Sequence, residues 1–352
     1  MTRKDFIWNM VAGAAVATFS DLAAAPTRAD GIWAGFLPFG RNMWSDVPVP
    51  RWGGNDGSTP EKRQKLLATC AADHVRFDEN VFHRITDKMA STGMNMVVID
   101  LGEGLAYPSH PELHVKGSWS LERFRKELKR LRGLGLEPIP KLNFSTSHDV
   151  WLKEYHRMVS TPKYYEVCRD LIGDVCEIFD GPRFFHLGYD EENAENQRYY
   201  SHCTVRQGDL WWHDFNYIAS QVEKHGARPW IWSDYQWNHP EEFVRRMSKG
   251  VLQSNWYYGR SFDYTDPKMN PYNVKQVKAY LALEEAGFDQ VPCGADHNSM
   301  ECMPNTVRFA RAHIAPERLK GFLIAPWHSA CIPENEAAYL RAFDSMDAAM
   351  RS

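Results

Sequence analysis

The chain has 352 residues, and its 41 Lys and Arg against 45 Asp and Glu give a formal net charge of −4. That near-balance leaves no basic footprint for a nucleic-acid partner, and 43% hydrophobic with 24% charged residues excludes a disordered chain and permits a large core. Aromatic residues make up 13%, a supply that serves packing and also suits a site that stacks flat apolar faces such as sugar rings.

Residues 1–30 read as an export segment. Arg3-Lys4 precede a weakly apolar run from Met10 to Phe19, and small residues follow around Ala23-Ala24-Ala25 and Thr27-Arg28-Ala29. Basic, apolar and small-residue parts in that order make a signal peptide, with a membrane anchor or a frayed helix as alternatives. The start Thr-Arg-Lys-Asp-Phe-Ile resembles a twin-arginine signal in which one Arg is Lys. The expected mature unit is 31–352, periplasmic or secreted. No later stretch approaches the ~20 apolar residues of a spanning helix, so no stable membrane span is expected after processing.

From residue 31 onward, short apolar runs alternate with helical patterns. A strand over Ile32–Phe39 is followed by the Gly-, Pro- and Trp-rich segment Arg41–Gly57, long enough to form part of a functional rim. Thr59-Pro60 opens an extra helix, and the first barrel helix is expected at Glu79–Thr92. The strand Asn95–Leu101 precedes the helix Leu121–Leu134, which Ser120 caps and whose Leu121, Phe124, Leu128 and Leu131 share one face. The strand Glu137–Phe144 precedes a helix opened by Thr161-Pro162 and running through Ile178, with Pro at its first position.

The same alternation continues with the strand Arg183–Tyr189, helix Asp209–His225, strand Ala227–Ser233, helix His239–Ser248 and strand Val251–Tyr257. Helix Asn273–Ala286, strand Gln290–Ala295, helix Pro304–Ile314, strand Gly321–Trp327 and helix Glu334–Met350 complete it. Runs such as Met96-Val97-Val98-Ile99 suit strands buried on both faces. Eight strand–helix units without a composition break predict an α/β chain folded as a single (β/α)8 TIM barrel, with an open doubly wound sheet as the alternative. Trp211-Trp212 and Trp230 are expected to pack helices against the barrel. The seven cysteines include no CxxC pair, so buried free thiols are expected rather than a zinc knuckle, with a Cys293–Cys302 bridge as the alternative.

In such a barrel the site lies at the carboxyl ends of the strands. Those ends carry Arg41, Asp100 and Glu103, Lys141 and Asn143, His186 with Asp190-Glu191-Glu192, Trp232 and Asp234, Asn255-Trp256-Tyr257, Asp296-His297-Asn298, and Trp327-His328. Acids, amides and tryptophans converging on one face describe a carbohydrate pocket.

The segment Arg183-Phe-Phe-His-Leu-Gly-Tyr-Asp-Glu-Glu192 resembles the His-x-Gly-Gly-Asp-Glu signature of family 20 glycoside hydrolases, the β-N-acetylhexosaminidases. His186, Gly188, Asp190 and Glu191 match it, and Tyr189 stands at the second Gly. More weakly, Trp232, Trp256 and Trp327 look like the family's tryptophans at strands five, six and eight, and Pro140 through His148 resembles its Pro-Gly-His segment. The family's Tyr-x-Asp at strand seven has Asp296-His297 in its region, and His328-Ser329 stand where a Glu follows the eighth-strand Trp.

The resemblance implies a substrate-assisted retaining mechanism. The substrate's 2-acetamido oxygen attacks the anomeric carbon, Asp190 orients and stabilises that group, and Glu191 protonates the leaving oxygen. Arg41, Asp100, Asn143, His148, Trp232, Asp234, Trp256, Tyr257, Asp296 and Trp327 are the expected substrate-binding residues, with His148 placed to hold a carboxylate, either Asp100 or Glu191. No metal and no other cofactor is expected. The rivals are a retaining glycosidase with Asp234 or Asp296 as its own nucleophile, a metal-dependent barrel hydrolase or isomerase using His186, Asp190, Glu191, Asp296, His297 and His328, and a non-catalytic sugar-binding barrel.

Overall fold

Alternate residues of the run Met96-Val97-Val98-Ile99 enter two different cores. Met96 and Val98 join a cluster with Ile32, Phe36, Leu252 and Leu323 inside a ring of strands, whereas Val97 and Ile99 pack outward with helix residues such as Ile85, Leu128 and Phe343. A period of two with both faces apolar is the mark of a parallel strand covered on both sides. In the computed structural model, which describes residues 31–48, 58–198, 200–328 and 330–352, eight such strands form one sheet. The expected export segment 1–30 and residues 49–57 of the long segment after the first strand lie outside the described residues.

The strands are β1 (Ile32–Pro38), β2 (Met96–Asp100), β3 (Glu137–Lys141), β4 (Phe184–His186), β5 (Arg228–Trp232), β6 (Leu252–Ser254), β7 (Cys293–Gly294) and β8 (Gly321–Ile324). They run in the order β6-β5-β4-β3-β2-β1-β8-β7, and every pairing is parallel. Parallel bridges Gln253–Gln290 and Trp256–Cys293 join β6 to β7 and close the ring. The architecture is a single (β/α)8 barrel.

The surrounding helices begin where the chain supplies caps. Helix α1 (Pro60–Ala68) is the extra helix, and α2 (Glu79–Ser91) starts after Asp78, whose carboxylate accepts from the Val81 N–H. Ser120 caps α3 (Leu121–Gly133), and Thr161 with Pro162 opens α4 (Pro162–Ile178); each cap satisfies an N–H that the first helical turn leaves unpaired. The remaining helices are α5 (Ala194–Gln197), α6 (Asp209–Lys224), α7 (Tyr235–Asn238), α8 (Pro240–Arg246), α9 (Pro271–Glu285), α10 (Cys302–His313) and α11 (Pro333–Met350). No helix among the described residues is long and apolar enough to cross a membrane.

Three expectations need correction. Several ladders stop short of the apolar runs: β4 ends at His186 because Gly188 and Tyr189 adopt positive φ, a conformation that cannot continue a strand. Trp230 does not face the helices; its position on β5 puts it in the inner cluster, where its Nε1 donates to Ser254 Oγ at 2.8 Å. Trp211 and Trp212 are buried in the outer layer as expected. All seven cysteines are free thiols, and Cys203 is exposed rather than buried.

Candidate active site

The turn after β4 gathers the chemistry. Gly188 has φ 74°, and a Cβ there would lie 2.0 Å from Asn143 Oδ1, so only glycine permits both this backbone and the approach of Asn143. That approach matters, because Asn143 Nδ2 donates to Asp190 Oδ1 at 2.9 Å. The loop after β3 grips the rest of the turn: Ser145 Oγ donates to the Asp190 carbonyl and Ser147 Oγ donates to the Glu191 carbonyl at 2.7 Å. His186 serves the turn and not the mouth. Its Nδ1 accepts the Gly188 N–H at 3.1 Å, and burial followed by the Lys141 charge holds the ring far below the usual histidine range, hence neutral.

His148 stands between the two carboxylates. Its Nε2 lies 3.3 Å from Asp190 Oδ2 and 3.3 Å from Glu191 Oε2, ion-pair distances that satisfy no hydrogen-bond angle. Burial alone would lower the imidazole, but the charges of Asp190 and Glu191 outweigh it and raise it to about 9. Burial would likewise raise Asp190, yet the His148 charge, Lys141 and Asn143 hold its carboxyl well below the ordinary range. Asp190 is therefore ionised at neutral pH.

Asp234 behaves oppositely. It accepts the Glu191 N–H at 2.8 Å and Trp256 Nε1 at 3.4 Å, and burial together with the Asp190 charge pushes it up to about 8. Close carboxylates in unlike surroundings are thus driven to different protonation states.

These shifts give the fold a pH dependence of definite sign. The raised His148 contributes stability that is fully present below its unfolded value of 6.5 and lost as pH rises through about 9. Asp234, raised from 3.8 to about 8, acts in the same direction over the lower window. The expected result is a wild-type fold more resistant to urea below pH 6.5 than above pH 9. The His148 ring should titrate by NMR near 9, and Asp190→Asn should move that midpoint down. A wild-type midpoint at or below 6.5 would show that the two carboxylates do not hold a charged ring.

The aromatic wall is only partly as expected. Trp256 and Trp327 are half-buried above the inner cluster, and Trp232 is fully buried beneath them, 4.5 Å from the His186 ring and 6.1 Å from Trp327. Tyr257, expected in the pocket, faces outward: it packs with Val277, Tyr280 and Phe309, and its hydroxyl donates to the Ser261 carbonyl at 2.8 Å. Alternation along the chain puts Trp256 and Tyr258 on one side and Tyr257 on the other. Tyr258 stacks on Trp256 at 5.0 Å and accepts Trp327 Nε1 at 2.7 Å. The parity of Trp256 was the signal that identifies Tyr258.

At the remaining strand ends, Arg41 is buried over the Trp44 ring, and its Nε and Nη1 find no hydrogen-bond partner among the described residues. Trp44 itself lies 4.9 Å from His148 and 6.3 Å from Trp327, so the segment after β1 reaches the site. Asp296 is buried, with His328 Nε2 at 3.2 Å and Arg341 at 3.9 Å from Oδ2. Asp100 is placed differently from a ligand-reading acid: the Lys141 ammonium donates to it, and both side chains are buried. His148, Asp190 and Glu191 offer ligand atoms within 4.8 Å of one another. The Glu79–His83–Glu127 group is already engaged by Arg123 and Arg130.

No family model and no curated protein matches the sequence. Solved structures match the fold. A chitobiase from Flavobacterium johnsoniae aligns at a TM-score of 0.52 and 17% identity over 78% of this chain and 48% of that one. Dispersin B aligns at 0.54 and 12% identity over 78% and 96%. A GH20 exo-β-N-acetylglucosaminidase from Vibrio harveyi aligns at 0.55 and 13% identity over 89% and 54%. The fold is GH20-like. This chain spans about half the length of the Flavobacterium and Vibrio proteins.

Proposed function

We propose that this chain is an exported glycoside hydrolase that cleaves terminal 2-acetamido sugars by the substrate-assisted retaining route. The observation that carries the reading is the Asp190–Glu191 pair at the barrel mouth, with Asp190 kept ionised by His148 and Asn143 beside it. The GH20-like fold and the half-buried Trp256 and Trp327 support a carbohydrate as the partner.

In this reaction the acetamido oxygen of the substrate bonds to the anomeric carbon as the glycosidic C–O bond breaks. Asp190 accepts the acetamido N–H and balances the positive charge developing on the oxazolinium ring. Glu191 passes its proton to the leaving oxygen, then removes one from the water that opens the ring, so configuration is retained. His148, with Nε2 3.3 Å from an oxygen of each carboxyl group, keeps them aimed. Asp234 suits the alternative role of a protein nucleophile poorly, since a carboxyl raised to about 8 is largely neutral at pH 7 and its oxygens face Glu191 N–H and Trp256 Nε1.

A panel of aryl glycosides with and without the 2-acetamido group tests the proposal. Turnover should be confined to the 2-acetamido members. Equal turnover of glucosides and N-acetylglucosaminides would overturn the substrate-assisted route, and binding without turnover would make the chain a sugar-binding barrel.

A further inference from the structure

The turn bearing the carboxylate pair is held in a conformation that its own residues disfavour. Besides Gly188, Tyr189 and Glu191 have φ of 69° and 55°, a left-handed backbone that non-glycine residues avoid. Such a backbone persists only where its surroundings over-determine it. The third acid of the segment, Glu192, has no part in the chemistry above, yet its side chain is buried and saturated with donors. Its Oε1 accepts from the Arg206 N–H at 3.0 Å and Arg206 Nε at 2.8 Å, and its Oε2 accepts from Arg206 Nη2 at 2.5 Å and the Thr146 N–H at 3.2 Å.

Arg206 is itself fully buried and works on the other flank of the pair. Its guanidinium lies 4.8 Å from the Tyr189 ring centre, and its Nη2 also donates to the Phe144 carbonyl at 2.7 Å. One planar fork therefore fastens the residues before and after Asp190–Glu191, and ties both to the loop that begins with Asn143. Well-packed apolar residues would often serve the stability of a buried site as well as an ion pair does. What the bidentate fork adds is geometry.

We propose that Glu192 and Arg206 form a positioning pair that sets the aim of the Asp190 and Glu191 carboxylates while touching no substrate. The inference rests on the reading of Asp190 and Glu191 as the catalytic pair. Glu192→Gln keeps the size but turns a donor toward the guanidinium, and Arg206→Lys keeps the charge but removes the fork. In both variants kcat on an aryl 2-acetamido glycoside should fall about 10- to 100-fold, the effect of a displacement near 1 Å, while KM changes little. The loss should deepen as the leaving group becomes poorer, because a misaimed Glu191 matters most where a proton is needed. In Arg206→Ala, added guanidinium ion should restore part of kcat, and ammonium should not.

Near-UV circular dichroism confirms that each variant is folded; if Arg206→Lys does not fold, the isosteric Glu192→Gln carries the test. Folded variants with wild-type kcat for every leaving group would overturn the positioning role alone. A wild-type protein inactive on every 2-acetamido glycoside would instead overturn the functional reading, and the positioning role with it.

Discussion

Asp190→Asn is expected to lower kcat by roughly 10²–10³-fold on every 2-acetamido glycoside, whatever the leaving group. The neutral amide cannot balance the charge that develops on the acetamido nucleophile, and a better leaving group does nothing to replace that partner. Glu191→Gln should behave differently. It removes the proton donor, so the loss should reach about 10²–10⁴-fold on natural glycosides but be clearly smaller on an activated aryl glycoside, whose leaving group departs unprotonated. Azide should restore neither rate nor a β-glycosyl azide in Asp190→Asn, because no enzyme nucleophile has been removed. Near-normal turnover by Asp190→Asn, with Asp234→Asn or Asp296→Asn inactive, would show that the nucleophile belongs to the protein, as in the two-carboxylate mechanism.

Lys141→Met is expected to destabilise the fold by about 3–5 kcal/mol. Lys141 and Asp100 sit in the barrel interior with side-chain exposures of 0% and 2%. Burial already pushes the Asp100 carboxyl up against the pull of Lys141, so removal of the ammonium leaves an acid that must bury its charge unpaired or take up a proton. Asp100→Leu combined with Lys141→Met removes both charges and should recover much of the loss, because a pair replaced by apolar groups leaves nothing unsatisfied. Urea denaturation of the wild type, both single variants and the double variant closes the cycle. A loss below about 1 kcal/mol for Lys141→Met would mean that the pair is worth no more than a solvated surface one.

The candidate site was legible in the sequence where chemistry is local. Asp190 and Glu191 follow a strand and a glycine, and they stand at the mouth of the barrel as that order implies. His148 was expected to hold Asp100 or Glu191; the structure places it against Asp190 and Glu191, and gives Asp100 to Lys141. Tyr257 faces outward although it closes the apolar run Val251–Tyr257. The ladder stops at Ser254, and the pocket-facing parity beyond it belongs to Trp256 and Tyr258. Trp230 lies inside the barrel and not against the helices, because in a strand apolar on both faces composition does not distinguish inside from outside.

By itself, the sequence determined the number and order of strand–helix units. Apolar periodicity and capping residues such as Ser120 and Thr161 act within a few neighbours, and they need no knowledge of the rest of the chain. It also determined that acids, amides and tryptophans gather at one end, since every parallel strand presents its carboxyl end to the same face. Only the tertiary structure decided which of those groups meet. That Asn143 reaches Asp190, that His148 is shared by two carboxylates, and that Arg206 closes on Glu192 depend on the register between neighbouring strands and on the paths of the loops beyond them. Register is set by packing summed over the whole barrel, and a shift of one residue would turn each strand side chain to the opposite face.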